Sequence, residues 1–375
     1  MRVLITGANG FIGRNSSLRL AERKDVQQVT FTRQDAPTAL ADKLAGVDFV
    51  FHLAGVNRPQ QPQEFAEGNA GLTESLARAL VEVAERTGKA PPVVYTSSIQ
   101  ARNDNPYGTS KRLAEQSLRA AGERCRVPVH IFRLPNVFGK WCRPNYNSAV
   151  ATFCHNIARG LPIQVNDANA PLTLCYVDDA IDTFLALMDG AAPVLDAEGF
   201  ATVSRQYTTT VGEVARLIQA FKDSRDSLTI ERVGEGLVRA LYATYVSYLP
   251  KEAFSYRVPQ YGDPRGVFVE MLKTRDSGQF SFFTAHAGVT RGGHYHHTKT
   301  EKFLVIRGTA RFKFRHMHTG DTHELVTDGS KAEIVETVPG WTHDITNIGD
   351  DEMIVMIWAN EVFDRARPDT YACPV

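Results

Sequence analysis

Three histidines and a glutamate near the end of the chain have the types and spacing of a metal-binding or proton-moving centre. His294 and His296 stand two apart, Glu301 follows, and His343 lies in VPGWTHDITN. Successive side chains alternate on a strand, so His294 and His296 share a face. Imidazoles with a carboxylate suit a divalent transition metal. A single strand histidine is more often structural than ligating, but four groups in one pattern reverse those odds. Eight of the 11 histidines fall between His286 and His343. Among them His297, His316, His318 and His323, in polar surroundings, read as solvated bystanders.

A second constellation lies in NPYGTSKRLAEQ, where Tyr107 and Lys111 are four apart and share a helical face. A phenol with an ordinary pKa near 10 is a poor acid at neutral pH. A nearby ammonium favours the phenolate and lowers that value. Tyr107 can then donate a proton to a carbonyl oxygen as hydride reaches the carbon. Ser97 and Ser98 end the run VVYTSS and can supply a hydroxyl that orients the carbonyl.

The third signal opens the chain. Gly7, Asn9, Gly10, Phe11, Ile12 and Gly13 join an apolar run to a helical pattern. Glycines there let the backbone approach a pyrophosphate, which the helix N-terminus stabilises. The second apolar run ends in Phe31-Thr32-Arg33, where an acidic side chain would accept the ribose 2′-hydroxyl of NAD. A guanidinium matches a 2′-phosphate instead, so NADPH is the expected cofactor. The plainer alternative is an exposed arginine at a strand end.

Elements able to position these groups are legible. VLIT, VQQVTFT, VDFVFHLAG, PPVVYTSS and VPVHIFRL alternate with helix-period segments such as LTESLARALVEVAERTG. That alternation predicts a doubly wound parallel sheet. From about Tyr256 the texture changes to short strand runs punctuated by Gly-Asp, Asp-Gly and Pro-Gly, which predicts an all-β sandwich or barrel. A division into 1–243, a linker at 244–255, and 256–375 follows, and 375 residues exceed one ordinary core.

Lys+Arg and Asp+Glu both total 42 without long runs of one sign, so nucleic acid and anionic membranes are poor partners. The five cysteines form no C-x-x-C pair, which suits reduced thiols in a cytoplasm. No secretory signal is evident, and no apolar run approaches the roughly 18–20 residues of a membrane span.

The glycine spacing G-x-x-G-x-x-G, the segment Phe51-His52-Leu53-Ala54-Gly55, and Tyr107 to Lys111 resemble extended short-chain dehydrogenases. The resemblance implies that Leu53, Ala54 and Gly55 line the adenosine side of the cofactor and that Asn69 supports the sheet. It makes Ser98 the preferred catalytic hydroxyl, with Ser97 beside it. The segments Arg133–Gly139 and Leu174–Ala180 resemble nucleotide-sugar epimerases, dehydratases and reductases. A nucleoside diphosphate sugar is the implied substrate, with Asn136 and Asn147 among its contacts. Two departures bear on chemistry. Leu172 or Thr173 stands where relatives often carry a diphosphate-binding arginine. Ile99-Gln100 replaces the Asp-Glu of sugar 4,6-dehydratases, which leaves reduction or epimerisation.

The spacing G-x5-H-x-H-x4-E-x6-G from Gly288 to Gly308 resembles the first cupin motif, implying a jelly roll. The second motif is one residue short, with Pro339 and Gly340 adjacent. Tyr261–Glu270 and Val289–Tyr295 also resemble the 4-keto-6-deoxyhexose epimerases. There the arginines matching Arg265 and Arg291 cradle a diphosphate, and the histidine matching His294 is a base rather than a ligand. His294 therefore stays open between the two roles.

In this order the two halves resemble the CapF family of bifunctional capsular polysaccharide enzymes and its O-antigen counterparts. That implies C3 epimerisation of a UDP-2-acetamido-2,6-dideoxy-4-ketohexose by the cupin. It also implies C4 reduction with NADPH, giving the talose-configured precursor of N-acetyl-L-fucosamine. Zinc and a homodimer through the cupin are further implications. Two other readings are a reductase whose cupin merely dimerises or binds sugar, and a non-catalytic nucleotide-sugar sensor.

Overall fold

In the computed structural model, residues 1–263, 266–269, 271–274, 278–361, 364 and 366–375 are described. The chain divides into two compact units, residues 1–137 with 173–208, and residues 138–172 with 209–375.

The first unit is built on strands β1 (Arg2–Thr6), β2 (Gln27–Phe31), β3 (Phe49–His52), β4 (Val93–Ser98) and β5 (Val129–Leu134). All neighbours are parallel, in the order β2-β1-β3-β4-β5. β3 is buried throughout, as expected of a sheet covered on both faces. Alternation sends Val3 and Ile5 of β1 into one core with Phe51, Phe132 and Phe184. Leu4 faces the other core, with Leu76, Leu80 and Leu118 from the helices Leu72–Thr87 and Pro106–Cys125. Burial of each such side chain contributes about 1.5–3 kcal/mol. Truncating Phe51 to alanine would cost about 3–5 kcal/mol. Because β1 has β2 on one side and β3 on the other, the connections leaving their carboxyl ends diverge. Such a switch point is where open α/β sheets bind ligands.

The second unit contains two five-stranded sheets. One runs Ser255–Arg257, Glu333–Glu336, Glu301–Arg307, Met353–Ala359, Gln279–Ala285, and the other Thr322–Asp328, Thr309–His316, Trp341–Asn347, Thr290–Tyr295, Tyr371–Ala372. Every pairing within them is antiparallel. Phe303, Phe312, Phe314, Trp341, Val355 and Trp358 are buried, and the Phe303 and Phe312 rings meet edge-on at 5.6 Å. An α/β Rossmann-type sheet followed by an all-β region is therefore the observed architecture.

Residues 244–255, read as a linker from composition, pack tightly. Tyr245, Val246 and Phe254 are buried, and the Phe254 ring lies edge-on to Phe314 at 5.5 Å and to Trp341 at 5.1 Å. Nearby, buried Glu336 accepts hydrogen bonds from Lys302 and from Arg225 of the helix Val211–Ser227. Helices of 209–247 thus share ion pairs with the strands.

Candidate functional site

The glycine loop follows β1 at the switch point. Gly7 takes φ +71°, and a Cβ there would lie 2.7 Å from Ala54 Cα. A Cβ on Gly13 would lie 2.1 Å from the Gly7 carbonyl oxygen. No side chain fits at either position, so bare backbone lines the cleft. The helix Phe11–Ala21 begins there with no acidic residue in its first turn, leaving free N–H groups for an anion. Asn9 and Gly10 are exposed at the tip, with Phe11 and Ile12 half-buried behind them. Leu53, Ala54 and Gly55 form the opposing loop after β3. Asn69 holds it, accepting from Val56 N at 2.8 Å and donating to Val56 O at 3.1 Å and Ser110 Oγ at 3.0 Å. These features fit a dinucleotide. Arg33 is exposed two residues beyond β2.

The helix Pro106–Cys125 starts from Asn105, whose side chain accepts from Gly108 N at 2.8 Å, with proline in its first turn. This start sets Tyr107 and Lys111 over the end of β4. Tyr107 donates to Asn57 Oδ1 at 3.2 Å. Lys111 is buried, and its Nζ donates to Thr96 O at 3.0 Å. A Cβ on Gly55 would lie 3.2 Å from that Nζ, so the ammonium borders the glycine cleft. The two serines divide. Ser97 Oγ donates to Glu115 Oε1 at 2.5 Å, and Glu115 also holds Arg133 through both carboxylate oxygens. Ser98 Oγ accepts from Gln100 N at 3.2 Å and ends β4 one strand residue beyond Ser97. Geometry favours Ser98 as the hydroxyl available to a carbonyl.

Burial, not Lys111, dominates the Tyr107 phenol, raising its pKa above the ordinary value, while the Ser98 hydrogen bond opposes this. The expected lowering of the phenol is therefore corrected: burial outweighs the groups that favour the phenolate. Burial pulls Lys111 itself down to about 8, opposed by Glu115. Spacing alone missed two supports, Asn57 and His52. His52 is buried between Thr6 Oγ1 at 2.7 Å and Thr73 Oγ1 at 2.8 Å, and burial lowers it to about 3, so it is neutral.

In the second unit His294, His296, Glu301 and His343 converge, with one donor atom from each within 4.8 Å of the others. His294 pairs directly across the sheet with His343. A bulge between Gly292 and His294 aims the strand, with Gly292 at φ +101° and Gly293 at +70°. A Cβ on Gly292 would meet the His343 carbonyl oxygen at 3.0 Å. The shortened loop at Pro339-Gly340 does not remove His343 from the cluster. Lys299 Nζ lies 3.0 Å from Glu301 Oε1.

These residues fit a divalent metal. His296 Nδ1 lies 2.5 Å from the Asp369 carbonyl oxygen, which can only accept, so Nδ1 carries a proton. Its Nε2 is 3.2 Å from Glu301 Oε2. In the neutral ring these are two acceptors facing each other, which calls for a cation between them. The spacing suits two ligands on one ion with bonds of about 2.0–2.2 Å. Both ring nitrogens of buried His343 lack a hydrogen-bond partner among the described residues. Burial lowers the pKa of His294 to about 4 and that of His343 well below its ordinary value.

Other expectations are met unevenly. Arg291 Nη1 donates to Thr284 O at 3.1 Å and lies over Phe283, so it is anchored on a neighbouring strand. Arg265 lies outside the described residues. Asn136 and Asn147 are both exposed, one in each compact unit. Of the presumed bystander histidines only His318 is exposed. His297 is buried against Tyr295 and Tyr371 at 5.6 and 5.1 Å, His316 accepts from Trp141 Nε1 at 3.0 Å, and His323 packs on Phe254 at 5.7 Å. Polar neighbours in sequence did not reveal these aromatic contacts.

Residues 3–195 match the NAD dependent epimerase/dehydratase family, and residues 261–371 match the Polysaccharide biosynthesis C-terminal domain. The chain is similar over its whole length to the capsular polysaccharide assembling protein CapF of Staphylococcus aureus, at 43% identity and a TM-score of 0.68, covering all of that chain. It is 62% identical over its full 375 residues to UDP-2-acetamido-2,6-beta-L-arabino-hexul-4-ose reductase of Pseudomonas aeruginosa, covering 99% of that protein. This chain belongs to the CapF-type branch of the NAD dependent epimerase/dehydratase family. Tyr107 and Lys111 fall in the first matched region, and His294, His296, Glu301 and His343 in the second. UDP-glucuronic acid 4-epimerase of Bacillus cereus shares only the fold, at 17% identity and a TM-score of 0.51 over 58% of this chain and 83% of its own. Among the described residues no helix is long and apolar enough to cross a membrane.

Proposed function

We propose that this CapF-type chain is a bifunctional UDP-sugar enzyme of polysaccharide precursor synthesis. Residues 256–375 invert C3 of a UDP-2-acetamido-2,6-dideoxy-4-ketohexose. Residues 1–243 then reduce its C4 ketone to a talose-configured product. The observation that carries the reductive half is Lys111 bordering a cleft of bare glycine backbone, with Tyr107 one turn before it on the same helix and Ser98 at the end of β4. The 62% identity to a 4-ketosugar reductase supports the substrate.

NADPH, when bound, supplies the hydride, and Arg33 is the residue that would recognise its 2′-phosphate. Ser98 Oγ donates a hydrogen bond to the C4 carbonyl oxygen. Tyr107 gives its proton from Oη to that oxygen, and the Lys111 ammonium stabilises the phenolate left behind. At the other site the 4-keto group acidifies the C3 hydrogen, because the carbanion is delocalised as an enolate. A divalent cation, zinc by its donor set, supplies electrophilic stabilisation of the enolate oxygen when bound. His296, Glu301 and His343 would hold it. His294, less buried than the other two histidines, either takes the C3 proton or completes the ligand set. We assign a homodimer through the cupin on family resemblance alone. The five free thiols suit a reducing compartment.

The full chain should be incubated in deuterated water with the 4-ketosugar and NADPH. Deuterium at C3 together with NADPH consumption is the expected result. Consumption without C3 exchange would leave a reductase and reject the epimerase half. Neither consumption nor C3 exchange with any 4-ketosugar would reject the enzyme reading and favour a sensor.

A further inference from the structure

Asp369 lies 73 residues beyond His296 in sequence yet touches the supports of the histidine cluster at several points. Its main-chain oxygen faces His296 Nδ1 at 2.5 Å. Its carboxylate accepts the main-chain N–H groups of His297 at 2.9 Å, Thr298 at 2.7 Å and Lys299 at 2.7 Å, and the Thr298 hydroxyl at 3.0 Å. The residues that follow extend the contact. Thr370 Oγ1 accepts from Lys299 Nζ at 3.1 Å, the same ammonium that holds Glu301 Oε1. Tyr371 and Ala372 pair with Tyr295 and His294, and Cys373 N donates to Gly293 O at 2.7 Å.

We propose that Asp369 is a positioning residue of the C-terminal centre, which fixes the His296 tautomer and the approach of Glu301. The inference rests on reading His294, His296, Glu301 and His343 as a metal-and-base centre. An imidazole can offer Nε2 as a ligand only if its proton sits on Nδ1, and an acceptor at Nδ1 sets that choice. The carbonyl is rigid because its own carboxylate is tied down by three N–H groups. The same bonds shape residues 297–299, the turn that leads into Glu301. One residue therefore orients two ligands from opposite sides of the turn.

The test uses the full chain with Asp369→Ala and Asp369→Asn. The asparagine keeps one acceptor oxygen but turns an NH2 group toward backbone donors. Zinc affinity is read by competition with a chromophoric chelator, and the His296 ring nitrogens by 15N NMR. Loss of an outer ligand support typically weakens metal binding roughly 10–100-fold, and that is expected for alanine, with a smaller loss for asparagine. The Nδ1–H signature of His296 should give way to mixed tautomers. Unchanged affinity with an unchanged His296 signature would overturn the proposal. So would loss of the folded β-rich half in both variants, because Asp369 would then be structural only. If the unsubstituted chain takes up no zinc, the metal reading fails by itself. The nitrogen shifts then decide Asp369: altered shifts in the alanine variant support positioning, and wild-type shifts reject it.

Discussion

The two centres differ in how their polar groups are satisfied. Around Tyr107 the partners are protein atoms: Asn57 takes the phenol proton, Thr96 takes the Lys111 ammonium, and Glu115 takes Ser97 and Arg133. Around His343 two buried ring nitrogens have no hydrogen-bond partner among the described residues, and His296 Nε2 faces the Glu301 carboxylate at 3.2 Å. A buried polar group without a partner costs about 1–3 kcal/mol. The first centre is thus prepared to exchange partners with a carbonyl, the second to receive a cation. This contrast teaches that hydrogen-bond accounting separates acid–base machinery from ligand sets even where both are rich in titratable groups.

The largest expected effect comes from Tyr107→Phe. Reduction, followed as NADPH consumption, should fall roughly 10²–10⁴-fold. Deuterium exchange at C3 should persist, and joint loss of both activities would break the idea of two independent centres. Next is Glu336→Gln, which leaves Lys302 and Arg225 buried without their carboxylate. Denaturant unfolding of the β-rich unit should lose about 3–5 kcal/mol, with the transition of the first unit unmoved. Arg33→Ala sharpens the cofactor assignment. A lost charged hydrogen bond is worth about 1.5–3 kcal/mol, so the ratio of kcat/KM for NADPH over NADH should drop roughly 10–150-fold. An unchanged ratio would remove the arginine from the site.

The smallest effect is in pH. Lys111 has a folded-state pKa of about 8 against an ordinary 10.5. The unfolded chain therefore binds that proton more tightly, and the buried ammonium costs stability below pH 8. The cost is relieved between pH 8 and 10.5, while the cation that assists Tyr107 disappears. Reduction should decline above pH 8 as the Lys111 contribution to stability, taken as the difference from Lys111→Met, rises.

Sequence legibility followed range. Tyr107 and Lys111, and the glycines from Gly7 to Gly13, are set by one helix turn and one loop, so spacing was enough. His294, His296, Glu301 and His343 were legible from side-chain chemistry, although the Gly292–Gly293 bulge that aims them was not. Asp369, Asn57 and the Arg225–Glu336–Lys302 ion pairs depend on contacts across tens of residues, which no local pattern records. The change of texture from helical patterns to short strand runs near Tyr256 placed a linker at 244–255. Packing against Phe314 and Trp341 depends on strands formed much later in the chain. Arg291 is held differently: its donor reaches Thr284 on a strand of the other sheet, a contact that strand pairing does not specify.

The chain crosses between its units three times, at 137/138, 172/173 and 208/209. During synthesis the parallel sheet can form early, yet its unit stays incomplete until residue 208 has left the ribosome. The apolar face of Ala149–Ala158 must meanwhile wait for the helices Val211–Ser227 and Gly236–Ser247, made after that point. Nascent chains stalled between these points are expected to expose more apolar surface than the finished chain and to engage chaperones more readily.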